Sequence, residues 1–347
     1  MMRPPICGCT LSSKKPFVLV GTDVVDRENL DKLAKNSTVY NLVDLVGDRL
    51  SEVLPTISVL LVFSWPKELT LENISKMTKL RFIQSILAGV NHIPFASLKN
   101  VTVSSNAGAY SEEVAEYAWA LLLTAAKRTV DLHSSVKDGT WSLRRTLDPS
   151  REVTILHGGT LGILGYGGIG KAVAKIAKGF GMEVIAYSRS SGASQGVKLY
   201  KGKVGLSQVL RKSDAVVLGL PLTNQTTHII NASRLLEMKK SSILVNVARG
   251  ELVDERAVFD HLQASPNFRY ATDVWWYREG RESLKTLYPF FSLGNFVGTP
   301  HVSGPSGLAT GKPVELAVEN TIRYLNGLRP RNIVDPTEYS AQGPQPY

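Results

Sequence analysis

Three short segments of this 347-residue chain carry residues whose types and spacing could do chemistry. The first is GYGGIG at 165–170, with Gly165, Gly167 and Gly170 at G-x-G-x-x-G spacing around Tyr166, Gly168 and Ile169. It ends the strand-like run Leu161 to Gly165 and opens a helical pattern from Ile169 to Phe180, the context that makes such a spacing informative. There the first glycine permits a tight turn, the second lets backbone approach a pyrophosphate, and the third lets helix and strand pack closely. Backbone amides and the helix dipole then hold the negative charge. A purely structural glycine turn would carry the same letters. The other two segments, VNVARG at 245–250 and TPHVSG at 299–304, each close a strand-like run. They bring Arg249 and His301 to the edge where ligands of open α/β sheets collect.

The strand after the glycine turn, EVIAYS, bears on which dinucleotide is taken. A carboxylate at its end would accept hydrogen bonds from a ribose 2′-hydroxyl and repel a 2′-phosphate. This strand ends in Ser188 and continues with Arg189 and Ser190. No acid is present to repel the phosphate, and a guanidinium is placed to grip it with charge-assisted hydrogen bonds. The reading is NADP(H) preferred over NAD(H), with NAD(H) still possible if Arg189 only faces water.

The elements that must position these residues read as two α/β units. From Phe17 to about Val103, β-rich runs such as Phe17 to Val20, Ile57 to Phe63 and Arg81 to Ile86 alternate with helix-compatible stretches. Ser111 to Arg128 reads as one long helix, acidic at its start and basic at its end. Its apolar content suits either a core helix or a subunit interface. Six further strands follow: Leu161 to Gly165, Glu183 to Ser188, Ala215 to Leu220, Ile243 to Ala248, Tyr270 to Trp275 and Phe296 to Thr299. With helical patterns between most of them, they predict a doubly wound parallel sheet. Pro313 to Leu325 reads as a closing helix with Gly327 just past its end, and the tail after about Pro336 reads as disordered.

Composition narrows the class. The chain is 43% hydrophobic and long enough for two domains. Its two cysteines, Cys7 and Cys9, stand close together near the start, which argues against a disulfide framework. Residues 1–5 lack the apolar core of a secretory signal, and no run approaches the roughly 18 apolar residues of a membrane span. A cytoplasmic protein without membrane partners is expected. The net charge of +10 comes from 40 basic residues scattered along the chain rather than gathered in a stripe. No nucleic-acid partner is expected, and a positive field favours capture of anionic small molecules.

Together with AGVNHI at 88–93, the three segments resemble those of the D-isomer-specific 2-hydroxyacid dehydrogenase family, which includes glyoxylate and hydroxypyruvate reductases. The resemblance covers nearly the whole chain. It implies a Rossmann doubly wound sheet, residues 108–304, inserted into a flavodoxin-like substrate domain of residues 1–107 plus 305–347. Domain closure would exclude water from the reaction. It also implies a homodimer.

Residue by residue, Arg249 matches the family arginine that binds the substrate carboxylate and polarises the carbonyl, a task for a permanently charged forked donor. His301 matches the family acid/base, imidazole having a reference pKa of about 6.5. The third family member is a glutamate paired with that histidine, and here the chain departs from the pattern. Counting from Asp273 in YATDVWWYREG, the glutamate position falls on Arg278, with Glu279 next. A one-residue shift would bring Glu279 to the histidine and make it catalytic.

Asp273 matches a supporting aspartate. Ala88, Gly89 and Val90 match the loop whose amides bind the substrate carboxylate, and Asn106 matches the interdomain crossover. Leu220 and Pro221 of the LPLT stretch, with Thr226, Val247, Ala248 and Ser303, match positions along the cofactor. The implied reaction is reduction of a small 2-oxoacid to a D-2-hydroxyacid. Two alternatives stay open: oxidation of a small anion, as in formate or phosphite dehydrogenases, and a non-catalytic nucleotide-sensing corepressor, because a fold alone does not prove turnover.

Overall fold

The computed structural model describes residues 15–339 except 46, 66, 68, 141–152, 190–195, 279–280 and 305–310. The expectations for Cys7, Cys9, Ser190 and Glu279 therefore lie outside the described residues. The chain divides into two units, Met1–Ala109 with Gly307–Tyr347, and Tyr110–Ser306.

The first unit holds a five-stranded parallel sheet: β1 (Phe17–Val20), β2 (Thr38–Asn41), β3 (Val59–Val62), β4 (Phe82–Ser85) and β5 (Thr102–Ser104). Their order, β2-β1-β3-β4-β5, is that of a flavodoxin-like doubly wound sheet. Strands β3 and β4 are buried at every position, as expected of parallel strands covered on both faces. Helices α1 (Arg27–Ala34), α2 (Asp48–Val53) and α3 (Leu71–Lys76) lie between strands. Asp26 and Thr70 cap α1 and α3 by accepting from the backbone N–H three residues on.

The second unit opens with α4 (Ser111–Lys127), which stops where Arg128 turns left-handed at φ 53°. Part of its apolar excess is covered within its own unit. Val114, Ala118, Trp119 and Leu122 are buried, the Trp119 ring stacks on Phe180 at 4.5 Å, and its Nε1 donates to Val173 O at 3.3 Å. After α5 (Thr129–Lys137) come β6 (Thr160–Leu164), α6 (Gly168–Gly179), β7 (Glu183–Tyr187), β8 (Lys198–Tyr200), α7 (Gly202–Lys212), β9 (Ala215–Leu218), α8 (Ala232–Glu237), β10 (Ile243–Asn246), α9 (Glu255–Ala264) and β11 (Arg269–Thr272). A two-stranded hairpin, β12 (Tyr277–Arg278) with β13 (Arg281–Glu282), precedes β14 (Phe296–Gly298).

The large sheet is parallel in the order β14-β11-β10-β9-β6-β7-β8, the Rossmann arrangement with one added strand. It has seven strands where the sequence reading found six. The missed one, β8, is three residues long, lies at the sheet edge, begins with Lys198 and is followed by Lys201, a composition that protects an edge and hides it from a hydrophobic-run search.

The chain returns to the first unit with α10 (Gly311–Leu325), whose Val314, Ala317 and Val318 pack among Val18, Phe82 and Ile86. The tail is ordered further than expected. Tyr339 is buried and its ring stacks on Phe95 at 5.0 Å, a contact that no local pattern announces. Among the described residues no helix is long and apolar enough to cross a membrane, and no group of three or more His, Cys, Asp or Glu could hold a metal ion.

Candidate active site

The glycine turn lies at the switch point of the large sheet, where β6 is flanked by β7 on one side and β9 on the other. Gly165 has φ +102°, and a Cβ there would sit 2.6 Å from the carbonyl oxygen of Gly219, just past β9. A Cβ on Gly170 would collide with the carbonyl oxygen of Gly165. Gly167 differs: a Cβ would meet nothing within 4 Å. Two glycines thus close the turn tightly, and the third leaves open space before the N-terminus of α6. Tyr166 and Ile169 are partly buried, and Gly167 and Gly168 are exposed. This cradle fits a pyrophosphate held by backbone amides.

At the end of β7, Ser188 is buried and its N–H donates to Tyr200 O of β8 at 3.0 Å, while Arg189 is exposed. The end of β7 therefore presents a guanidinium and no carboxylate. On the other side of the switch point, Leu220 is buried and Pro221 exposed. Thr226 Oγ1 accepts from Thr223 N at 2.8 Å and donates to Pro221 O at 2.7 Å. Its hydroxyl shapes the turn.

The Arg249 segment is set by a buried amide. Asn246, the last residue of β10, is fully buried; its Nδ2 donates to Arg249 O at 2.8 Å and its Oδ1 accepts from Ala248 N at 3.1 Å. One side chain satisfies both polar ends of a tight turn that would otherwise be buried without partners. Val247 and Ala248 are buried inside it, and Arg249 Nη1 folds back on Ala248 O at 2.6 Å.

His301 is held by Asp273, which is fully buried at the end of β11. Asp273 Oδ1 accepts from Thr299 Oγ1 at 2.6 Å and from Val302 N at 3.1 Å, and Oδ2 accepts from Ser303 N at 2.7 Å. The donors flank His301, whose backbone is left-handed at φ 54°, an uncommon conformation for a residue with a Cβ. Ser303 is buried and contributes its amide to this ring of bonds.

The carboxylate that reaches His301 is Glu282, with Nδ1 and Oε2 2.6 Å apart. The counted position, Arg278, does not. Arg278 turns to an ion pair with Glu255, and Glu279 lies outside the described residues. An offset counted along the sequence misses Glu282 because the chain doubles back: Tyr277 pairs with Glu282 and Arg278 with Arg281, so residues five positions apart face each other on one rung. The sequence signal was the glycine at 280, the residue type favoured in short hairpin connections. Glu282 is fixed from its other oxygen, Oε1 accepting from Trp275 N at 2.5 Å. Glu251 braces the same hairpin, Oε1 accepting from Tyr277 N at 2.7 Å. Burial pushes the Glu251 carboxyl above the usual carboxylate range, with the nearby Glu282 adding to it; burial likewise pushes the Tyr277 phenol up to about 12.

Within the second unit, Arg249, Glu282 and His301 thus rise from the ends of β10, the hairpin and β14. In the first unit, the Ala88–Gly89–Val90 stretch follows β4. Asn106 holds the chain just before it, donating from Nδ2 to Ile86 O at 2.9 Å and from its backbone N–H to Leu87 O at 3.0 Å. Val90 is buried; Ala88 and Gly89 are partly exposed.

Residues 119–303 match the family described as D-isomer specific 2-hydroxyacid dehydrogenase, NAD binding domain. The chain is 35% identical to the glyoxylate reductase of Aeropyrum pernix over 266 residues, which cover 76% of this chain and 78% of that protein. It is 31% identical to the D-3-phosphoglycerate dehydrogenase of Methanocaldococcus jannaschii over 320 residues, covering 90% of this chain and 58% of that one. Among solved structures, a protein of Pyrobaculum aerophilum provisionally assigned as a formate dehydrogenase superposes with a TM-score of 0.77 at 32% identity, covering 92% of this chain and 99% of that one.

Proposed function

Since the chain belongs to the D-isomer specific 2-hydroxyacid dehydrogenase family, as an NAD(P)-dependent oxidoreductase, we propose that it is an NADPH-preferring reductase of a small 2-oxoacid such as glyoxylate or hydroxypyruvate. The observation that carries this reading is the hydrogen bond between His301 Nδ1 and Glu282. A carboxylate can only accept, so Nδ1 carries the hydrogen and proton exchange falls to Nε2. The cofactor, when bound, supplies the hydride to the carbonyl carbon. His301 delivers the proton to the carbonyl oxygen, and Arg249 holds the carboxylate and stabilises the charge that develops on that oxygen. Kinship with glyoxylate reductases supports the small substrate.

A panel of 2-oxoacids, with NADPH oxidation followed optically, tests the substrate class; turnover with none of them, beside retained NADPH binding, would return the chain to the sensor reading. Within the panel, Arg249→Ala is expected to lower kcat/KM by roughly 10²- to 10⁴-fold while NADPH affinity stays near wild type. Unchanged kinetics would remove Arg249 from the site. Glu282→Gln is expected to lower kcat by about 10- to 1000-fold, and Glu279→Gln to leave it near wild type. The reverse pattern would hand the role to Glu279.

Cofactor preference rests on the end of β7, where Arg189 follows Ser188 and no acid intervenes. Arg189→Ala is expected to raise the NADPH dissociation constant about tenfold or more and to leave that of NADH nearly unchanged, by the loss of one charge-assisted contact. Titration of both cofactors by fluorescence reads the difference, and an equal loss for both defeats the argument.

We also propose a homodimer paired through α5 rather than α4. No residue of α5 is buried, and Val130, Leu132 and Val136 are exposed, each by 40% or more. Apolar side chains left uncovered on one helix are what a symmetric partner would cover. Sedimentation is expected to give a dimer for the wild type and a monomer for Leu132→Glu/Val136→Glu. A dimer in both would exclude this surface.

A further inference from the structure

Glu255 is an acid that the proposed reaction does not use, and it is the more buried partner of an ion pair close to the site. It is the first residue of α9, is 7% exposed, and has both carboxylate oxygens engaged on the segment that carries Glu282. Oε2 receives Arg278 Nη2, from the residue that ends β12. Oε1 accepts from the backbone N–H of Leu287, five residues beyond Glu282, at 2.7 Å. Arg278 in turn donates from Nη1 to Tyr277 O at 2.8 Å. A single buried carboxylate therefore ties down both flanks of the stretch 278–287, and Glu282 lies between the ties. β12 and β13 are only two residues each, too short a ladder to hold a register alone.

We propose that Glu255 and Arg278 are positioning residues: their ion pair anchors the hairpin so that Glu282 Oε2 stands within hydrogen-bonding reach of His301 Nδ1. This rests on Glu282 being the functional partner of His301. Arg278, at the position where counting expected a glutamate, thus anchors the loop that brings a later glutamate to the histidine. A packed pair of opposite charges suits this task because removal of either member leaves the other uncompensated in a half-buried setting, so the segment has one well-defined arrangement.

The experiment combines steady-state kinetics with glyoxylate and NADPH and proton NMR of the His301 Nδ1–H resonance, on Glu255→Gln, Arg278→Met, Arg278→Lys and Glu282→Gln, and on the first two placed in the Glu282→Gln background. Thermal unfolding checks that each variant is folded; should Glu255→Gln not fold, the Arg278 pair carries the test. We expect Glu255→Gln and Arg278→Met to lower kcat about tenfold with KM nearly constant, and to shift or broaden the Nδ1 resonance. Arg278→Lys, which keeps the charge, recovers part of the loss. In the Glu282→Gln background the same substitutions cost less than about twofold, the non-additivity of residues that act through one another.

Full kcat with an unaltered resonance in both single variants overturns the proposal, as does an undiminished further loss on top of Glu282→Gln. Failure of the underlying reading has its own signature: Glu282→Gln then keeps wild-type turnover and an unaltered Nδ1 resonance.

Discussion

A fully buried carboxylate has to find hydrogen-bond donors, and that requirement at Asp273 organises the strand ends that carry Arg249 and His301. The donors it finds are Thr299 Oγ1 and the amides of Val302 and Ser303, which bracket His301 on both sides. Its own amide donates to Asn246 O, and the Asn246 side chain shapes the turn carrying Arg249. The guanidinium and the imidazole, 52 positions apart in sequence, are therefore linked through two buried polar side chains at the ends of adjacent strands. Charged hydrogen bonds of this kind contribute about 1.5–3 kcal/mol each relative to loss of the partner. That is enough to hold His301 in a left-handed backbone, whose cost is about 1–3 kcal/mol.

Much of this was legible from sequence because the sheet carries it. Parallel strands buried on both faces appear as apolar runs, and the glycines of GYGGIG announce a turn that tolerates no Cβ at Gly165 or Gly170. Arg249 and His301 stood out in the sequence because each follows the end of such a run. β8 did not, since a short edge strand among lysines has no apolar signature. That Trp119 of α4 stacks on Phe180 inside its own unit could not be read from the sequence. Periodicity reports how much of a helix is apolar without reporting what covers it.

Glu282 escaped for a different reason. A residue offset along an extended chain is a distance, but along a hairpin it is not. Two strands of two residues suffice to bring position 282 opposite position 277, and hydrophobic periodicity says nothing over so short a stretch. The acids that hold the hairpin, Glu251 and Glu255, lie in the segment after Arg249, where their spacing reads as the ordinary acidic start of a helix. Only their side-chain bonds to Tyr277 N and Arg278 separate the two roles.

The arrangement divides labour between rigid and variable parts. Strand ends fix the guanidinium and imidazole through buried polar groups that leave little latitude for substitution. The carboxylate comes from a loop element, where length and sequence are freer to change. A hairpin can tolerate such a change only if something other than its own ladder determines where it lies, since two rungs of backbone pairing provide little resistance to slippage. Here the side chains supply that determination: Glu251 takes an amide of β12, Glu255 grips its guanidinium, and Glu282 closes the loop on Trp275 N. Three acids along one short path would repel one another if all were equally ionised. Burial, reinforced by the nearby Glu282, pushes the Glu251 carboxyl above the usual carboxylate range, and Glu282 Oε2 stands 2.6 Å from His301 Nδ1.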